Sequence, residues 1–174
     1  MKKVLLGVTG SIAAYKAAEL VRMLVRGGNE VQVVMTPAAC QFVTPLTFQT
    51  LSRNPVHVDT FEKPVTWVPG HVSLATWADI VLVAPASANT LAKMRMGLAD
   101  NLLTSLLLAT RATVAVAPAM NDGMWVNAVT QENLAVLRSR GVLVISPDEG
   151  ALACGTSGPG RMAEPGHIYK ELFK

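Results

Sequence analysis

The sequence predicts an α/β fold, a three-layer sandwich around a mostly parallel sheet, and three observations carry that prediction. Short β-branched apolar runs alternate with helix-length segments from end to end. The runs are apolar at successive positions, so both faces are buried, as in parallel sheets covered by helices on either side. Polar or Gly/Pro-containing loops follow the runs, as expected of strand–crossover–strand units with right-handed connections.

Residues 4–8 form the first predicted strand. Residues 12–26 follow as a helix, with Ala13, Ala17, Leu20, Val21 and Leu24 on one stripe. Gly27-Gly28 stops it, as glycine commonly does at a helix C-terminus. Residues 31–35, 80–84, 114–117 and 142–145 read as four further buried strands. Residues 71–77 read as a short helix, and 130–140, closed by Gly141, as a longer one. Segments 62–70 and 147–165 are rich in Pro and Gly and read as irregular; connections as long as the second are often functional. Residues 1–174 are expected to form a single domain with a Rossmann/flavodoxin-like sheet. Ligands of such sheets sit beyond the C-terminal strand ends. Loops 9–11, 36–37, 85–90 and 118–121 should therefore converge on one site.

Composition excludes several functions. Of 174 residues, 51% are hydrophobic and only 16% charged, against about 25% charged in ordinary soluble chains. That excludes disorder and leaves apolar surface for self-association. A spanning helix needs roughly 20 uninterrupted apolar residues, but Arg111 and threonines break 102–117, and Pro85 stops 80–84. The start, Met1-Lys2-Lys3, imitates a secretion signal until Thr9-Gly10-Ser11 interrupts it, so a cytoplasmic protein without membrane contact is expected. The net charge of +3 is scattered and aromatics reach 5%, which argues against a nucleic-acid face and suits a small anionic ligand. Cys40 and Cys154 cannot build a disulfide framework, and no Cys/His spacing resembles a metal site.

The loop Gly7-Val8-Thr9-Gly10-Ser11-Ile12 joins the first strand to the first helix, where backbone N–H groups and Ser11 could hold a phosphate. An ordinary tight turn is the alternative. The spacing is neither G-x-G-x-x-G nor a Walker A loop, and Met35-Thr36-Pro37 offers no acid for a dinucleotide ribose. With Ser87, Asn89 and Thr90 as neutral donors, FMN fits better than NAD. His71, at the start of a short helix, suits proton transfer or polarisation, or else caps the helix or faces solvent. Asn121 could donate to a carboxylate while Met124 and Trp125 shape an apolar wall; a turn asparagine with both side chains in the core is the alternative. Cys154 lies in a Gly/Pro-rich loop that cannot build a core, which suggests a flap carrying a thiol to a ligand. Cys40 reads as packing, His57 and His167 as structural, and Lys16, Arg95 and Arg161 as solvated surface charges rather than anion contacts.

Taken in order, these segments resemble the homo-oligomeric flavin-containing cysteine decarboxylases. The resemblance is carried by Gly10-Ser11-Ile12-Ala13-Ala14-Tyr15-Lys16, Thr44-Pro45-Leu46-Thr47-Phe48, Gly70-His71-Val72-Ser73-Leu74 and Trp77-Ala78-Asp79. It continues through Pro85-Ala86-Ser87-Ala88-Asn89-Thr90, residues 118–125, Ala153-Cys154-Gly155 and Gly158-Pro159-Gly160-Arg161-Met162. The resemblance implies FMN at a subunit interface of a homotrimer, with trimers in some cases assembled into a dodecamer. Gly10, Ser11 and Ile12 would border the FMN phosphate, with Thr36, Ser87, Ala88, Asn89 and Thr90 completing the cradle and Ala119 against the flavin. His71 matches the active-site histidine, Asn121 with Met124 the substrate-binding segment, and Cys154 the proton donor.

The implied small-molecule substrate is 4'-phosphopantothenoylcysteine, converted to 4'-phosphopantetheine for coenzyme A synthesis. Oxidation of its CH₂–SH end to a thioaldehyde provides the electron sink that a cysteine carboxylate lacks. Loss of CO₂ then gives an ene-thiolate, which is reduced. A synthetase, fused or separate, would be the partner activity. Three alternatives are a peptidyl-cysteine decarboxylase that stops at the enethiol, a flavin prenyltransferase on a similar fold, and a non-catalytic flavin-binding regulatory subunit. The combination of His71, Asn121 and Cys154 argues against the prenyltransferase, and His71 with Cys154 against the regulatory subunit.

Overall fold

The computed structural model describes residues 1–59, 70–151, 153, 155 and 157–174. Its centre is a six-stranded sheet built from β1 (Lys3–Val8), β2 (Glu30–Met35), β3 (Val56–His57), β4 (Ile80–Ala86), β5 (Thr113–Pro118) and β6 (Leu143–Val144). The strand order is β3-β2-β1-β4-β5-β6, and every neighbouring pair is parallel. The chain winds outward from β1 in one direction and then the other, so the topological switch point lies between β1 and β4.

Strand side chains alternate between two apolar layers. Val4, Leu6 and Val8 of β1, Val31, Val33 and Met35 of β2, and Leu82 of β4 enter one core. It is closed by α1 (Ala14–Arg26), α2 (Pro45–Ser52) and α8 (Pro165–Leu172) through Leu20, Leu24, Phe48 and Ile168. Leu5, Val34, Val81, Val83 and Val116 face the other way. There they meet α3 (Gly70–Trp77), α4 (Ala88–Met96), α5 (Leu102–Ala109) and α7 (Ala128–Ser139) through Leu74, Leu91, Leu103, Leu106 and Leu134. Burial on both sides is what the continuous apolar runs require, and the three-layer architecture matches the sequence expectation.

Three details differ from that expectation. The first helix starts at Ala14 because Ser11, Ile12 and Ala13 form a turn that brings the chain off β1. The last predicted strand shrinks to Leu143–Val144, since it is an edge strand pairing with β5 alone. Within 147–165, expected to be irregular, β7 (Asp148–Ala151) and β8 (Ser157–Arg161) form an antiparallel ribbon. The irregular segment predicted at 62–70 lies outside the described residues except for Gly70, which opens α3. Among the described residues, no helix is long and apolar enough to cross a membrane.

Candidate active site

Three strand–helix loops and the β7–β8 ribbon enclose a cavity of about 360 Å³ above the switch point. Thr9, directly after β1 and next to the lining residue Gly10, is fully buried. Thr9 Oγ1 donates to the Pro85 carbonyl at 2.7 Å and accepts the Ser87 N–H at 2.9 Å. One hydroxyl thereby fixes the β1 loop against the β4 loop, on either side of the switch point.

From the β1 loop come Gly10, Ser11 and Ile12, and from the β4 loop Ser87 and Ala88. Gly10 is required by close approach: a Cβ there would lie 2.6 Å from Ala38 Cβ. Ser87 caps α4, its Oγ accepting the Thr90 N–H at 3.3 Å. The N-terminal turns of α1 and α4 carry no acidic residue, so no carboxylate there offsets their positive dipole ends. Such ends suit an anionic group.

The third loop contributes Ala119, Met120, Asn121 and Met124. Asn121 is the N-cap of α6 (Asp122–Val126), its Oδ1 accepting the Gly123 N–H at 2.9 Å. That bond orients the side-chain amide in the exposed mouth of the cavity. Met124 is exposed and lines the cavity, whereas Trp125 packs against the second core, so the two neighbours divide the roles that sequence left open. The ribbon closes the remaining side with Ala151, Ala153, Gly160, Arg161 and Met162. Gly160 has φ +118, and a Cβ on it would fall 2.5 Å from the Met120 carbonyl. The same glycine accepts the Met120 N–H at 3.0 Å, joining ribbon to loop.

The cavity therefore gathers eight expected residues: Gly10, Ser11, Ile12, Ser87, Ala88, Ala119, Asn121 and Met124. Thr36 lies outside its wall, with its hydroxyl accepting the Ala39 N–H at 3.2 Å. Thr90 is buried, its hydroxyl 3.1 Å from Ser87 Oγ, and Asn89 is exposed away from the lining. His71, half-buried at the start of α3, is not in the wall of this single chain. Cys154 lies outside the described residues.

Lys16 corrects the surface reading. It is buried and lines the cavity, while Arg161 lines it with a partly exposed side chain; Arg95 pairs with Glu132 elsewhere. Thr9 and Gly160 escaped residue-level assignment, although the Gly-Pro-Gly-Arg-Met run marked the second. Cys40 is partly buried beside the first core, and burial pushes its thiol pKa up. Among the described residues, no group of His, Cys, Asp and Glu could hold a metal ion.

An open parallel sheet with a mostly apolar hollow at its switch point and anion-favouring helix ends defines a nucleotide-type cofactor protein. The family described as Flavoprotein matches residues 1–174, and the chain belongs to it. It is 50% identical over 176 residues to the coenzyme A biosynthesis bifunctional protein CoaBC of Vibrio parahaemolyticus, covering 99% of this chain and 44% of that protein. The chain thus spans less than half the length of that relative. Among solved structures, a cysteine-to-serine mutant of PPC decarboxylase complexed with pantothenoylaminoethenethiol superposes with TM-score 0.89 at 35% identity, covering 98% of this chain and 96% of that one. The FMN binding protein AtHal3 gives TM-score 0.84 at 36% identity, covering 98% and 94%.

Proposed function

We infer that residues 1–174 form a flavoprotein decarboxylase unit that converts 4'-phosphopantothenoylcysteine to 4'-phosphopantetheine with FMN, in coenzyme A biosynthesis. The observation that carries this reading is the convergence of Gly10, Ser11, Ser87, Ala119 and Asn121 on one cavity at the switch point. The cavity fits the cofactor. Its walls are mainly small or apolar side chains suited to a planar ring, and two helix N-termini lie where an anionic tail would be stabilised. Gly10, Ser11, Ser87 and Ala88 would hold the phosphate end and Ala119 the ring. Bound FMN supplies a reversible two-electron sink for the substrate's CH₂–SH carbon.

The chain's own residues bind the substrate and move its protons. The Asn121 amide, oriented by its Gly123 bond, would donate through Nδ2 to the substrate carboxylate, with Met124 as the adjoining apolar wall. Cys154 would deliver the proton in the last step. His71 would assist thiol deprotonation or orient substrate. Its position outside the single-chain cavity, with exposed Ile12, Tyr15 and Met124 around the mouth, supports a site completed by a second copy in a homotrimer or a larger assembly of trimers. The bifunctional relative supports a synthetase partner, fused or separate. A cytoplasmic site of action follows from the same reading.

The test is a visible absorption spectrum of purified protein followed by incubation with 4'-phosphopantothenoylcysteine and, separately, a peptide ending in cysteine. Flavin bands, CO₂ and a saturated thiol from the first substrate are expected. Colourless protein that stays inert after FMN is added overturns the reading. An enethiol from the peptide alone establishes the peptidyl alternative.

A further inference from the structure

Two cationic side chains border the cavity, Lys16 and Arg161, and among the described residues no Asp or Glu lines it. Lys16 stands in the first turn of α1 and is only 8% exposed. Its Nζ donates to the Met162 carbonyl at 3.2 Å and to Glu164 Oε1 at 2.9 Å. Arg161, the last residue of β8, donates through Nη2 to the same Glu164 oxygen at 2.7 Å. One carboxylate therefore serves two cations, and the trio keeps a net positive charge at the cavity wall. The Lys16 hydrogen bond, followed by the charges of Lys16 and Arg161, holds the Glu164 carboxyl below the usual glutamate range, so it stays ionised. Asp148 adds no negative charge to the wall. Its Oδ2 accepts the Glu164 N–H at 3.1 Å, and its Oδ1 lies 3.8 Å from His167 Nδ1 on α8.

The two cations differ in what they can still do. Lys16 is buried and already has two acceptors. The Arg161 side chain is 42% exposed, and among the described residues its guanidinium spends one N–H, on Glu164. Gly150 leaves it room across the ribbon, since a Cβ there would lie 3.2 Å from Arg161 Nη1. The wall thus presents one exposed, permanently charged group whose fork can meet a further anion.

We propose that Arg161, held by Glu164, stabilises the reduced form of bound FMN and so sets the potential of the cofactor. This rests on the functional reading above. In the first redox step of that reading, the substrate's CH₂–SH group loses its thiol proton to solvent and passes a hydride from carbon to the flavin. The C=S bond forms, and two electrons, one hydrogen and one negative charge move to the ring. A positive wall in a partly water-excluded hollow favours the side of this exchange on which the ring is charged. The ene-thiolate later takes back the hydride together with one proton. The reaction as a whole is therefore redox-neutral, and the wall divides the driving force between the two transfers.

The test measures the midpoint potential of flavin-loaded wild type, Arg161→Met and Glu164→Gln by reductive titration beside a reference dye. Release of CO₂ from 4'-phosphopantothenoylcysteine is a separate readout. In Arg161→Met the wall loses its net charge, while Glu164 keeps Lys16, so no carboxylate is orphaned. Its ratio of reduced to oxidised flavin at a fixed potential is expected to fall roughly tenfold, or about 30 mV, the scale of unit charges about 10 Å apart in a partly solvated site. Glu164→Gln removes a negative charge but keeps an acceptor for both cations, and its potential is expected to rise by a similar amount. Opposite signs mark a charge effect rather than a packing defect, and both shifts should shrink as salt is raised. Unshifted potentials, or shifts of the same sign, overturn the proposal. Glu164→Gln decides alone if Arg161→Met does not fold or hold flavin. Wild-type protein that holds flavin but releases no CO₂ overturns the decarboxylase reading, and the potentials then judge Arg161 by themselves. Protein that binds FMN in neither oxidation state overturns both.

Discussion

Thr9 Oγ1 donates to the Pro85 carbonyl at 2.7 Å, a bond between strand ends 76 positions apart and wholly sealed from solvent on the threonine side. The same oxygen accepts the Ser87 N–H. Thr9→Val keeps the shape but leaves both partners unpaired where the β1 and β4 loops meet. A buried donor or acceptor without a partner costs about 1–3 kcal/mol. The expected outcome is a loss of that size in chemical denaturation, together with weaker flavin retention on dialysis.

In the proposed function Asn121 combines a helix cap with substrate binding, and one substitution separates the two. Aspartate caps a helix as well as asparagine does, so Asn121→Asp preserves the bond to the Gly123 N–H and the stability of the fold. It removes the amide donor and sets a negative charge against a substrate carboxylate. A fall of about 100-fold in kcat/KM is expected, roughly 2.7 kcal/mol of lost transition-state stabilisation, with flavin still bound. Unaltered steady-state kinetics would remove Asn121 from substrate binding.

Gly160→Ala tests the junction of ribbon and loop. Both the φ of +118 and the 2.5 Å approach to the Met120 carbonyl exclude a side chain without backbone movement. About 1–3 kcal/mol of destabilisation is expected, measured by denaturation, with lower yield of saturated product.

For His71, replacement by asparagine should abolish CO₂ release while the visible spectrum of bound flavin persists. Undiminished turnover in His71→Asn would take the histidine out of the reaction.

Glu164 predicts a pH dependence. The Lys16 hydrogen bond, followed by the charges of Lys16 and Arg161, holds its carboxyl below the usual glutamate range. A carboxyl depressed in the folded state binds fewer protons there than in the unfolded chain, so its contribution rises with pH. That contribution is present above the ordinary glutamate pKa and is lost as pH falls through the lowered folded value. Thermal denaturation between about pH 3 and 7 should show a steeper acid loss for wild type than for Glu164→Gln.

The parts of this fold that sequence announces are those whose cause is local. β1, β2, β4 and β5 are apolar on both faces, and the loops after β1, β4 and β5 meet because the strand order forces them to. β3 was invisible because two residues at a sheet edge carry no periodicity. β7 and β8 read Asp-Glu-Gly-Ala and Ser-Gly-Pro-Gly-Arg, without an apolar face, and pairing with each other rather than a core makes them strands. Lys16 looked like a solvated charge because its acceptors, Met162 and Glu164, are distant in sequence and near only after α1 and α8 pack together. His71 marks another limit, since its motif picks out the side chain while the single-chain cavity does not include it.

The placement of β1 in the middle of the sheet has a kinetic consequence. β1 gains its second neighbour only when β4 has emerged, and Thr9 meets Ser87 only after closing a separation of 78 positions. Such distant pairing is slow to form, so a nascent chain exposes the edge of β1 until then. A ligand that recognises both loops binds only the chain in which they have met and draws the population toward it by mass action. Scarcity of that ligand during expression should therefore lower the yield of intact protein before it lowers any measured rate.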